Sequence, residues 1–127
     1  MEFYTIDQTH HNNVVAEAIV GREQEIFHYD LNISNYELML ASLPEGDWPA
    51  ELVQYQYSTL DNVPDEFDQI VSDYQYRDRL RSLLKTERLE RSKAARIYEA
   101  LLARLPEADR STLIAAAQAK LQAANQA

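Results

Sequence analysis

The chain is predicted to be all-α, an elongated antiparallel helical bundle or hairpin built on two long helices plus two shorter ones. Three observations predict this. Only two glycines and four prolines punctuate 127 residues, which suits a few long helices better than many short strands. Apolar residues recur at alternating steps of four and three for four repeats near the N-terminus, an a/d pattern as in a coiled coil. No pair of segments alternates convincingly as strands, although "EFYTI" at residues 2–6 is compatible with extended chain.

The first helix is expected over about residues 11–43, behind a flexible or extended segment at 1–10, with Asn12 or Asn13 as its cap. Its seam runs through Val15, Ile19, Arg22, Ile26, Tyr29, Ile33, Tyr36, Leu40 and Leu43, and "LPEGDWP" ends it with Pro44 and Gly46. At about 100° per residue, Val20, Phe27, Leu31 and Leu38 form a second stripe roughly opposite the first. A helix apolar on two sides either sits between neighbours or offers one side to another chain. Those four residues are therefore candidates for self-association.

A shorter helix is expected over 49–60, with Pro49 in its first turn and Leu52, Tyr55 and either Tyr57 or Leu60 packing inward. The third helix begins at Asn62 or Val63, ahead of Pro64 and three acids that suit its positive end, and runs to about 104. Its apolar residues change sides. Phe67, Ile70, Val71 and Tyr74 share one face; Tyr76, Leu80, Leu83, Leu84, Ala94, Tyr98, Leu101 and Leu105 share another. Either a bend or break near 75, or two halves serving different neighbours, would account for the switch. A last helix starts near Pro106, packs through Leu113, Ile114, Ala117 and Leu121, and frays over 122–127. Length alone suits a single domain, 1–127.

Arg22 interrupts the first seam. If Leu43 lies near Pro64, the numbers of facing residues sum to about 107, and Glu87 falls nearly opposite Arg22. An interhelical Arg22–Glu87 ion pair is expected, with a register-setting role. Net charge is −9, but it is unevenly laid out: residues 1–73 hold fifteen acids and one base, residues 74–127 six acids and eleven bases. Mutual neutralisation is the simplest reading, with Glu17, Glu23, Glu25 and Asp30 set beside the basic stretch of the third helix.

Further constellations suggest partners. Arg77, Arg81, Lys85, Arg88 and Arg96 form a basic flank of the kind that tracks phosphates, although the acidic balance of the whole chain does not favour nucleic acid. Trp48, Tyr55, Tyr57, Asp65, Glu66 and Asp68 mark a middle segment with the aromatic and acidic character of a partner-facing surface. Glu25 and His28 have the i, i+3 spacing of carboxylate–histidine metal sites, but one such motif is incomplete without a second copy. No other metal ligand set, no cofactor motif, no phosphate-cradling glycine loop and no nucleophile signature is visible.

The reading is a small acidic non-enzymatic protein–protein interaction protein of accessory, adaptor, assembly-chaperone or inhibitor type. It is expected to form a homo-oligomer and to engage a protein partner of unknown identity. The alternatives are a regulator of nucleic-acid machinery, acting by acidic mimicry or the Arg-rich flank, and a dimeric carboxylate–histidine metal-binding protein. With no cysteine, no secretory pattern and no apolar run of membrane-spanning length, a cytoplasmic, non-membrane location is expected.

Overall fold

The computed structural model describes residues 7–126. Three α-helices, α1 (Gln8–Leu40), α2 (Asp68–Leu102) and α3 (Arg110–Gln126), are joined by short 3-10 turns, and there is no strand among the described residues. The segment "EFYTI" lies outside them. No described helix is long and apolar enough to cross a membrane. The packing divides the chain into two compact units, Met1–Tyr29 with Glu90–Ala127, and Asp30–Leu89.

Helix α1 starts earlier than expected because Asp7, not Asn12 or Asn13, caps it. The Asp7 carboxylate accepts the Thr9 backbone N–H at 3.1 Å, satisfying one of the donors left open at a helix start. Asn12 lies inside the helix and takes a hydrogen bond from Gln8. The helix also stops three residues early. Leu43 N–H bonds back only to Leu40 O, and the Ser42 hydroxyl donates to Met39 O, so the last turn tightens before Pro44 is reached. Gly46 then takes φ 82°, a left-handed conformation that a side chain would strain.

The expected helix over 49–60 is instead two 3-10 turns, Ala50–Tyr55 and Leu60–Asn62. Val63, held extended by the proline that follows it, and Pro64 delay the next helix. A 3-10 turn at Asp65–Phe67 leads into α2, which is continuous through residue 75. Its residues serve two separate cores, as one of the two expected outcomes held. Pro106 and the 3-10 turn Glu107–Asp109 restart the chain into α3, which is helical to Gln126.

In the unit formed by the chain's two ends, Ile19 is fully buried among Val15, Ala16, Val20, Leu105 and Ala117. Tyr98, Leu101, Leu102, Leu113, Ile114 and Leu121 close round this cluster, so the apolar face expected for α3 is the one that packs. Lys120 pairs with Glu17 at 2.6 Å, and Gln118 donates to Glu23, tying α3 across α1. In the Asp30–Leu89 unit, Val71, Leu52 and Val63 are buried with Trp48, Tyr55 and Phe67 against them.

The register differs from the expected one. Glu37 meets Arg88, Asn32 meets Glu87 and Met39 meets Tyr76; in the other unit, Glu23 meets Tyr98. Facing numbers thus sum to roughly 120 rather than 107, a slide of about 20 Å at 1.5 Å per residue. The cause is the stretch after α1. It is not a closed loop bringing Leu43 to Pro64, but folds back along α2, placing Pro44 against Arg77. The expected Arg22–Glu87 pair is accordingly replaced: Arg22 binds Glu25 one turn along its own helix at 2.8 Å, and Glu87 accepts from Asn32 at 3.4 Å.

Candidate functional site

The most elaborate polar arrangement lies in the Asp30–Leu89 unit and centres on Arg77, which is only 3% exposed. Its guanidinium donates to the carbonyls of Pro44 (3.2 Å) and Gly46, and twice to Asp78 Oδ1, at 3.2 and 3.0 Å. Its carbon centre lies 4.6 Å from the centroid of the Tyr74 ring. Asp78 uses its second oxygen to accept the Trp48 indole N–H at 2.8 Å, and the Trp48 and Tyr74 rings pack 5.0 Å apart. One helical turn before Asp78, the Gln75 amide donates to the carbonyls of Tyr55 and Ser58. Two side chains of α2 therefore hold four backbone carbonyls of the 41–67 stretch. An Arg fork suits this because its donors are fixed in one plane.

This clamp determines what the stretch shows to solvent. Tyr55 turns inward beside Phe67, whereas Tyr57, two residues on, is 93% exposed. Val53 and Leu60 are also exposed. Tyr57 borders an open cleft with Gln56, Ser58, Gln75, Asp78 and Arg79. Arg77 also lines a second cleft of about 370 Å³, together with Glu37, Glu45, Arg81 and Arg88.

The sequence-predicted residues separate accordingly. Of the partner-facing set, Tyr57, Asp65, Glu66 and Asp68 are exposed, but Trp48 and Tyr55 are structural, packed on the second core. Of the basic flank, Arg81, Lys85 and Arg96 are exposed and Arg88 pairs with Glu37 at 2.8 Å. Arg77 is not an exposed member of the flank, because it is buried and hydrogen-bonded to Pro44, Gly46 and Asp78. Of the self-association stripe, Val20 is buried under the α1–α3 packing, while Phe27 in the same unit is 64% exposed. Leu31 and Leu38, in the other unit, are 48% and 70% exposed. Beyond Val20, the first seam of α1 is the more buried side.

Glu25 is occupied by Arg22 and by the Tyr29 hydroxyl, while His28 is exposed with its ring edge-on to Phe27. Among the described residues no three of His, Asp and Glu converge in a way that would hold a metal ion. The neutralisation of the acidic first helix is only partly as expected. Glu17 turns to α3 rather than α2, and Glu37 supplies the contact with the Arg-rich stretch. Tyr98 is the group whose titration moves most clearly. Burial raises its pKa above the ordinary tyrosine value, and the Glu23 carboxylate, which accepts its hydroxyl at 3.4 Å, adds to the effect.

Arg77 was missed as a buried residue, yet a signal for it exists. Val71, Tyr74, Arg77, Leu80 and Leu84 recur at steps of three and four, so Arg77 interrupts the seam of α2 as Arg22 interrupts that of α1. No family model matches the sequence, no curated protein matches it, and no solved structure matches its fold.

Proposed function

We propose that the chain is a non-enzymatic protein–protein interaction protein that self-associates through the outward face of α1. The observation that carries this is the exposure of Leu31 and Leu38, two helical turns apart on the side of α1 opposite its packed seam. Among the described residues, ten of the thirteen large apolar residues left exposed belong to the same Asp30–Leu89 unit. Covering the part of each leucine that is still exposed contributes on the order of 1–2 kcal/mol. Accessory, adaptor, assembly and inhibitor roles all draw on such a surface.

The test is sedimentation velocity on the intact protein and on a Leu31→Glu/Leu38→Glu variant. The expected result is an oligomer for the first and a folded monomer for the second. Identical sedimentation of the two, whether as monomer or as oligomer, would remove α1 from the account.

A further inference from the structure

We draw no further inference here: the strongest candidate, the cleft that Arg77, Arg81, Arg88, Glu37 and Glu45 line, carries nothing, because Arg77 and Arg88 are already held within the fold and nothing in the structure shows what would bind the exposed Arg81 and Glu45 that remain.

Discussion

Replacing Arg77 with alanine should remove the clamp that holds the 41–67 stretch on α2. The side chain's loss leaves the Pro44 and Gly46 carbonyls without their donor, at about 1–3 kcal/mol for each that stays buried. Gly46 is exposed and recovers water, and Pro44 is half-buried, so at most one such penalty applies. The ion pair with Asp78 adds at most about 1 kcal/mol, since that carboxylate is 36% exposed and screened by solvent. The guanidinium over Tyr74 adds about 0.5–2 kcal/mol. The total is about 3 kcal/mol, a large share of the roughly 5–15 kcal/mol that holds a domain folded. The assay is urea unfolding followed by the fluorescence of Trp48, the chain's one tryptophan, whose indole N–H is bonded to Asp78. Arg77→Lys keeps the charge but not the planar fork, and should fall between wild type and Arg77→Ala. A loss for Arg77→Ala below about 0.5 kcal/mol, or no greater than that of the exposed Arg79→Ala, would refute the reasoning.

Other perturbations separate the remaining arguments. Gly21 lies inside α1 with no atom within 4 Å of where a methyl group would stand, so Gly21→Ala should stabilise by about 0.5–1 kcal/mol in a thermal melt. Gly46→Ala should do the reverse by about 1 kcal/mol, because its φ of 82° disfavours a side chain. Arg22→Leu should change unfolding free energy by less than about 1 kcal/mol, since the Arg22–Glu25 pair is 37% exposed on both sides. A loss of several kcal/mol would restore Arg22 to a buried pairing role. Raising pH should destabilise the protein through Tyr98. Its folded pKa lies above the unfolded value near 10, so its contribution is complete below about pH 10 and is lost as pH rises through the higher folded value. Tyr98→Phe should flatten that part of the profile measured by chemical denaturation.

Much of this fold is legible in the sequence because helix signals are local. The seam from Val15 to Leu43, the break at Pro44 and Gly46, and the packing face of α3 follow from spacing and punctuation. What escaped depends on distance along the chain. Nothing near residue 43 or 64 states that the stretch between them folds back along α2. Without that, the register slips by a dozen residues and Arg22 is matched with Glu87. The Asp7 cap was missed because two asparagines stood closer to the apolar seam. Arg77 was grouped with its basic neighbours by charge, although its spacing from Tyr74 and Leu80 put it in the packed seam. The surface was only partly legible, because an aromatic residue suits a core and an interface alike: Tyr57 is exposed, whereas Trp48 and Tyr55 are drawn inward by core contacts with Tyr74 and Phe67.

We propose that the outward face of α1 joins copies of this chain by apolar contact. It is tested most directly by light-scattering mass in low salt and at about 1 M salt, where charge is screened beyond a few ångströms. Each chain weighs 14.7 kDa and carries −9, so like-charge repulsion opposes assembly in low salt. The account predicts a mass above one chain that rises or holds in high salt. A mass of one chain under both conditions, or an oligomer that high salt dissolves, would contradict it.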